Sequence, residues 1–476
     1  MGLKNQAVKG VAWTSVGTIG SGLLNLLVTI ILARLLTPHD FGIIELLVIF
    51  SSLSDIIVDS GFSQAVIKDN DATDTDLSSV FWLNFLIAMV LYFVLFFASP
   101  FIARFYDAPI MESLSKVVFL TIIFNSLSVI QNANLSRKLA FRPFALASII
   151  SIVISGSIAI FLAMQGYGVW ALAMNLVGFS FFRMSILWLL SGWHPKFKFS
   201  HVSVKRYFSF GVNLLIQGLL DKLVTNLESL IIGKIYTKQQ LGYFSQGRKL
   251  DSYVTQATNN VVLKVSYPVL SKIKNDETHL KEGYRTIVGV TMCCISPIMA
   301  IMFCGAEYIM NGVFGVQWLP ATPYLRLWSI CGWCLIVYSI FINIFLVKGK
   351  SKQLLRCSIA KQVMRILVII SLVRISIMHM MMGIVVVTLL TGLIYIFFGG
   401  KLIDYSLGEF FKDISITFIS VVIAGLSAFI ITPMIIASNG ICALIVLAVV
   451  LILVYLLLLL LFKSPHLQTV FSIIKK

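Results

Sequence analysis

Charge is what this sequence has least of: Asp, Glu, Lys and Arg make up 12% of its 476 residues, about half the share found in an ordinary soluble domain. Hydrophobic residues make up 58% and the mean hydropathy is +0.95, which excludes a soluble enzyme. Long polar segments are lacking as well. The longest connection between apolar runs lies around Lys264 to Lys281, far short of the roughly 40 residues a chain needs to fold unaided, so no extramembrane catalytic domain is expected. The histidines are scattered, and none stands with cysteines at metal-ligand spacing. The glycines of GTIGSG, Gly17 to Gly22, lack the Lys and Ser or Thr of a phosphate loop and suit close helix packing or a bend. The CGWC of Cys331 to Cys334 lies within an apolar run without a βαβ pattern, so its role is read as structural. No metal, no cofactor and no ATPase unit is expected, and the chain is not expected to be an enzyme.

What is present is a succession of apolar runs. About fourteen spans of roughly 20 residues account for most of the apolar content, so the expected fold class is all-α, a polytopic membrane protein. The N-terminus is polar up to about Lys9, and the first apolar run, Val11 to Leu36, exceeds the roughly 7 to 15 residues of a signal-peptide core. It reads as a retained first helix. The formal charge of +17 comes from 37 Lys and Arg against 20 Asp and Glu. Most of the cations sit in short loops on one side of the expected membrane: Arg137, Lys138 and Arg142; Lys196, Lys198, Lys205 and Arg206; Lys264 to Arg285; and Lys348 to Arg356. That asymmetry marks cytoplasmic loops facing anionic lipid and places both termini in the cytoplasm; no nucleic-acid module is visible. One loop on that side is acidic, with Asp69, Asp71, Asp74 and Asp76, although acidic residues contribute little to orientation.

The sequence also repeats. ILARLLTPHDFG at Ile31 to Gly42 aligns without gaps with IIGKIYTKQQLG at Ile231 to Gly242, pairing Arg34 with Lys234, Thr37 with Thr237 and Gly42 with Gly242. The copies close the first and seventh spans, so an even number of spans separates them and both run in the same direction. Parallel repeats of this kind are a transporter architecture with the substrate site between halves. The expected organisation is a six-helix lobe over residues 1–195, a second over 196–405, and two additional helices with a cytoplasmic tail over 406–476. The extra pair is almost wholly aliphatic and reads as lipid-facing or partner-facing.

Polar residues within spans are costly and usually face a bundle interior or water, so their helical phase is informative. The first span puts Thr14, Thr18, Ser21, Asn25 and Thr29 on one face, and the seventh does the same with Gln217, Asp221, Thr225 and Glu228. The second span carries Glu45, Ser52, Asp55 and Asp59; its counterpart, the eighth, carries Ser245, Arg248, Lys249, Ser252, Gln256 and Asn259. Two readings follow: a central hydrated cavity, acidic on one half and basic on the other, or polar groups paired as static glue between helices. Arg248 and Lys249 correspond to Val48 and Ile49 in the other repeat. An added cation pair without a symmetric match suggests anion binding, since a guanidinium suits bidentate phosphate contact. Lys361, Arg365 and Arg183 are further candidates; the competing reading for them is anchoring at a cytoplasmic helix end.

LARLLTPHDFG at Leu32 to Gly42, NLESLIIGKIYTKQQLGYFSQGRKL at Asn226 to Leu250 and SYPVLSKI at Ser266 to Ile273 together resemble the polysaccharide-export flippases. These are the Wzx-type O-antigen and exopolysaccharide translocases of the multidrug, oligosaccharidyl-lipid and polysaccharide exporter superfamily. The resemblance implies two six-helix lobes with two extra C-terminal helices in a bacterial cytoplasmic membrane. It also implies translocation of a polyprenyl-pyrophosphate-linked oligosaccharide by alternating access, for surface polysaccharide biosynthesis. Its implied partners are that lipid-linked substrate, membrane lipids, and polysaccharide polymerase or export machinery. Arg248 and Lys249 are then the nearest candidates for the pyrophosphate by location, and Asn25, Thr225, Gln256 and Asn259 for the sugar hydroxyls. Glu228 stands within LESLIIGK where family members often have an Asp nearby. The alternative is a cation-coupled multidrug exporter, with Glu45, Asp55, Asp221 and Glu228 as coupling carboxylates. A membrane glycosyltransferase or polymerase would need a sizeable outer loop with catalytic acids, and none is present. With the cytoplasmic assignment above, a cysteine placed at Ser200 is expected to be shielded from an impermeant thiol reagent in intact cells; ready labelling would invert the topology.

Overall fold

The computed structural model describes residues 3–59, 61–69, 71–138, 140–272, 276–435 and 440–474, and no strand occurs among them. The helices are α1 (Leu3–Leu35), α2 (Pro38–Asp59), α3 (Phe62–Lys68), α4 (Asp74–Phe105), α5 (Ile110–Val118), α6 (Leu120–Arg137), α7 (Phe141–Met164), α8 (Val169–Ser191) and α9 (His201–Ile235). They continue with α10 (Lys238–Lys272), α11 (Glu277–Cys304), α12 (Ala306–Tyr308), α13 (Thr322–Val347), α14 (Ser351–Leu372), α15 (Ile377–Gly400), α16 (Leu407–Ile435), α17 (Ile441–Leu461) and α18 (Pro465–Ile474). Among the described residues, eleven helical segments are long and apolar enough to cross a membrane. Three more helices, α9, α10 and α14, have spanning length but carry several charged residues each, and with them the architecture is compatible with fourteen spans. The chain divides into two compact units, Met1–Gly242 and Tyr243–Lys476.

In the first unit glycines set the spacing of α1 and α7. A Cβ at Gly17 would crowd Ala145 on α7, and one at Gly156 on α7 would strike the Val28 side chain of α1. Of the three glycines in GTIGSG, Gly17 makes this close contact, Gly20 stands at ordinary distance from Ile149 of α7, and Gly22 faces open space, so the segment's first half is the packing surface of α1 on α7. The α9 helix joins this unit because it packs on α2, α3 and α4.

The acidic loop that resisted the charge-based topology has an explanation in the segment leading to α9. Arg206 reaches Asp69 at 3.0 Å and Asp76 at 3.5 Å, Lys196 reaches Asp74 at 2.7 Å, and Tyr207 donates to Asp69 at 2.8 Å. The backbone is tied down as well: the Lys196 and Ser200 amides donate to Ser78 and Ser79, and Trp82 donates to the Lys196 carbonyl. Below these bonds Phe62, Leu77, Phe81, Trp193 and Tyr207 form one apolar cluster. The acids thus hold a basic connection in place, and the local charge excess is largely cancelled.

The repeat detected in the sequence is a helix break built twice. Thr37 and Asp40 exchange hydrogen bonds, with the Thr37 amide and hydroxyl donating to the Asp40 carboxylate at 3.0 and 2.7 Å and the Asp40 amide returning to Thr37 Oγ1 at 3.3 Å. Thr237 and Gln240 make the same reciprocal arrangement, all at 3.2 Å. Each is a capping box that satisfies orphan amides where a helix starts. Five positions after each Thr stands the glycine. A Cβ on Gly42 would overlap the Lys238 carbonyl, and one on Gly242 would overlap the Pro38 carbonyl, so the starts of α2 and α10 meet backbone to backbone.

In the second unit α11 packs on α13 and α16, α16 on α17, and α13 on α15. At the end where α11 and α16 begin, Arg285 makes a bidentate pair with Asp413 at 2.7 and 2.6 Å, and Tyr405 also donates to that carboxylate. Burial, and then this bond to Asp413, hold the Tyr405 phenol well above its usual pKa. The aliphatic α16 and α17 expected from the sequence are present, joined to α11 through Val421, Ala424, Leu447, Leu451 and Tyr455.

Gly42→Ala and Gly242→Ala are expected to lower the thermal midpoint of the purified protein, by a loss at or above the upper end of the ~1–3 kcal/mol typical of overpacking, because the obstructing atom is a carbonyl oxygen rather than a movable side chain. Gly22→Ala, in open space, should leave the midpoint unchanged or raise it through helix propensity. Equal midpoints for all three variants would remove the backbone contact as a constraint.

Candidate functional site

Inside a bilayer a polar helix is stable only where it meets protein or water, so the three polar helices locate the candidate site. In the first unit the Asp55 carboxylate of α2 accepts two bonds from the Asn125 side chain of α6, at 3.2 and 3.1 Å. Arg183 of α8 and Lys222 of α9 are within electrostatic reach of Asp55. Asp55, Asn125 and Arg183 line a cavity of about 400 Å³ together with Ser51, Ser52, Ser126 and Asn132. Each of the three sits near the middle of its spanning segment. The Arg183 Nε atom is buried with no hydrogen-bond partner. Asp59 also lines the cavity, where it accepts from the Ser63 amide and hydroxyl. With Lys222 counted, the two acids and two cations balance, and the Arg183 guanidinium keeps an unused donor.

In the second unit α10 lies along α13. Gly247 abuts the Tyr324–Leu325 backbone, and the Asp251 carboxylate and Thr255 press on Gly332. Further along, Ser339 donates to Asn259 at 2.7 Å. Gly247, Asp251, Thr255 and Asn259 follow one another at steps of four, which makes them a single helix face. Asp251 is 3% exposed, and its Oδ1 has no hydrogen-bond partner. Gly332, the second residue of CGWC, is small because that carboxylate occupies the space a Cβ would need; Cys331 and Cys334 are free, buried thiols. Arg248 lies 5.7 Å over the Phe244 ring and Lys361 of α14 lies 5.4 Å over the Tyr338 ring, placements that hold a cation against an aromatic face. Arg365 is one turn beyond Lys361 on α14.

The residues singled out from sequence therefore separate into groups. Asp55 and Arg183 share the first-unit cavity. Glu228 is completely buried in α9, Glu45 is half-buried in α2, and Asp221 is exposed on α9, so the four carboxylates are not one cluster. On the first stripe Asn25 and Thr18 are exposed while Thr29 is buried, its hydroxyl turned back to the Asn25 carbonyl at 2.7 Å; the side chain of Thr14 lies outside the described residues. The Thr225 hydroxyl likewise turns back to the Asp221 carbonyl. Lys249 and Gln256 are exposed on α10, whereas Asn259 is engaged by Ser339. An acidic first half and a basic second half do not describe what is found: Arg183 and Lys222 bring cations to the first unit, and Asp251 brings an acid to the second.

Asn125, Lys222 and Asp251 were missed by the sequence reading. Lys222 and Asp251 carried a signal, being charges inside membrane-length helices. Asn125 carried little, since its significance is the distant carboxylate it serves. No group of three His, Cys, Asp or Glu side chains placed to hold a metal occurs among the described residues.

Membrane-length helices with charged groups at mid-span define the class as a multi-pass membrane transport protein. The chain matches the family described as "Polysaccharide biosynthesis protein" over residues 31–323, and it belongs to that family. It is similar to the teichuronic acid biosynthesis protein TuaB of Bacillus subtilis, 24% identical over 352 residues and covering 73% of each chain. It is similar also to the succinoglycan biosynthesis transport protein ExoT of Rhizobium meliloti, 27% identical over 70% of this chain and 68% of that one. The lipopolysaccharide biosynthesis protein WzxC of Escherichia coli is 23% identical over the same shares, 70% and 68%. Among solved structures the fold matches the lipid II flippase MurJ in an inward closed conformation, with TM-score 0.74, 15% identity and coverage of 95% of this chain and 98% of that one. It matches a multidrug resistance MATE family transporter with TM-score 0.60, 14% identity and coverage of 83% and 98%. At these identities the structures establish the fold.

Asn125→Leu strips both donors from Asp55 and is expected to destabilise the protein by about 1–3 kcal/mol, the cost of an unsatisfied buried polar group. The double variant Asp55→Leu with Asn125→Leu should recover most of that loss in thermal melts. A double variant no more stable than the single would show that the pair does not act as a unit.

Proposed function

We propose that this protein is a flippase that carries a polyprenyl-pyrophosphate-linked oligosaccharide across the bacterial cytoplasmic membrane by alternating access, supplying surface polysaccharide biosynthesis. The observation that carries the reading is cations within membrane-length helices: Arg183 with its unpaired Nε in the first-unit cavity, and Arg248, Lys361 and Arg365 on the polar helices of the second unit. A diphosphate and a sugar head group cannot enter hydrocarbon without solvation. Guanidinium and ammonium groups at that depth supply it, while the lipid tail stays in the bilayer. The relatives whose names refer to teichuronic acid, succinoglycan and lipopolysaccharide biosynthesis and the fold likeness to a lipid II flippase support the same substrate class.

In this reading Arg248 and Lys249 are the pyrophosphate-binding residues of the second unit, with Lys361 and Arg365 adding to its positive field, and Arg183 is the corresponding anion-binding residue of the first unit. Asn25, Thr225, Gln256 and Asn259 are loose partners for sugar hydroxyls, where weak contacts favour release. Asp55 and Asp251 are the best-placed carboxylates to exchange a proton or cation during the cycle, because each is withdrawn from solvent beside cationic or unpaired polar groups. Both termini face the cytoplasm, and polymerase or export machinery receives the product. A cation-coupled multidrug exporter is the second reading, favoured by the MATE likeness and by the buried acids; the cations of α10 and α14 in the second unit oppose cationic drugs as cargo.

Charge reversal in Arg248→Glu and charge removal in Arg183→Gln are expected to reduce surface polysaccharide at least tenfold in a complemented deletion strain, the scale of losing a charge-assisted phosphate contact, with membrane levels unchanged. The deletion strain itself should accumulate an undelivered lipid-linked glycan. Wild-type polysaccharide in both variants would remove these residues from the site. Normal polysaccharide in the deletion strain with heightened drug sensitivity would replace the flippase by the exporter.

A further inference from the structure

Away from the polar helices, the second unit has an apolar groove that none of the roles above uses. It lies among α11, α13, α15 and α16, has a volume of about 700 Å³, and is walled by side chains such as Met299, Phe303, Trp333, Phe418 and Phe429. That is several times the roughly 150 Å³ of a dry cavity that accepts benzene. One wall residue breaks the pattern: Arg326, in the second turn of α13. It is half-buried and makes no hydrogen bond or ion pair with any described residue.

The placement of that cation relative to the groove is informative. The ends of α11 and α16 and the start of α13 come together at the Arg326 end, and the groove runs from there to Ser296, Trp333 and Phe418 near the helix middles. At about 1.5 Å per residue, Ser296 to Cys304 spans about 12 Å and Phe418 to Phe429 about 16 Å. The groove is therefore roughly as long as one leaflet, half of the ~30 Å hydrocarbon core. Its cation stands opposite the end carrying Lys281, Arg285, Lys401 and Lys412, which the charge asymmetry assigns to the cytoplasm.

We propose that this groove is a binding site for an anionic phospholipid of the outer leaflet, one acyl chain lying in the apolar channel and the phosphate held by Arg326. The match is of charge and of length. A guanidinium with a thiol, Cys304, but no carboxylate of the described residues beside it is costly at membrane depth, a lipid phosphate offers it bidentate acceptors, and a leaflet-long channel suits an acyl chain better than a polyprenyl chain. This site is separate from the substrate residues and does not rest on the transport reading.

The test uses the full-length protein purified in mild detergent and titrated with phosphatidylglycerol or phosphatidylcholine, read by native mass spectrometry. Wild type should retain one phosphatidylglycerol and prefer it to phosphatidylcholine. Arg326→Gln should weaken phosphatidylglycerol binding about tenfold, the loss of a charge-assisted contact, and abolish the preference. Val422 lines the groove and is 44% exposed, so Val422→Trp can fill the channel from its open side with the guanidinium intact, and it should displace the lipid. Unchanged phosphatidylglycerol occupancy in either folded variant overturns the proposal. So does recovery of a polyprenyl phosphate from the wild-type groove, displaced by Val422→Trp, in place of phosphatidylglycerol. None of these measurements involves translocation, so failure here leaves the proposed function standing.

Discussion

Where α2 and α10 begin, Gly42 faces the carbonyl of Lys238 and Gly242 faces the carbonyl of Pro38, and neither position has room for a methyl group. The approach is reciprocal because the two capping boxes make the two helix starts alike: Thr37 with Asp40, and Thr237 with Gln240. Each box pairs two of its own amides, which lowers the desolvation cost of laying two polar helix ends against one another. This contact fixes the α9–α10 break beside the α1–α2 break. It thereby sets the level at which the polar residues of α9 stand relative to those of α1 and α2.

The energetic problem of the fold is how to keep charge at membrane depth, and three solutions occur. Asp55 is held by the amide of Asn125 with cations nearby. Arg248 and Lys361 rest over aromatic faces. Asp251 is packed against the bare backbone of a glycine with one oxygen left without a bond. The first two arrangements lower the cost of a buried charge, while the third leaves much of it in place. Persistent cost of this kind collects at functional positions, which is why Asp251 ranks beside Asp55 although nothing in its sequence neighbourhood singles it out from the preceding Arg248 and Lys249.

Much of the architecture was legible in the residues. An all-helical membrane fold follows from composition, and the aligned Thr37–Gly42 and Thr237–Gly242 segments mark the repeat before any coordinate is known. Within GTIGSG the expectation of close packing or a bend is met as packing at Gly17, and the reason for Gly332 in CGWC emerges only with Asp251 beside it. What periodicity could not give was the direction of each polar face. On α10 almost every turn has a polar residue, so the phase alone does not separate Gly247, Asp251, Thr255 and Asn259, which bind α13, from Lys249 and Gln256, which do not. In the same way the acids at 69–76 looked like a contradiction to the charge rule, because their partners Lys196 and Arg206 lie more than a hundred residues away in sequence.

The polarity of α9, α10 and α14 also bears on how the protein is made. A helix with Asp221, Lys222 and Glu228, or one with Lys361 and Arg365, partitions poorly into lipid as it leaves the translocon, each central charge opposing entry by about 2.5–3.5 kcal/mol. Such segments need already inserted neighbours to shelter them. The hydrophobic helices synthesised earlier in each half would then serve as an intramolecular chaperone, and the order of synthesis becomes part of the information that specifies the fold.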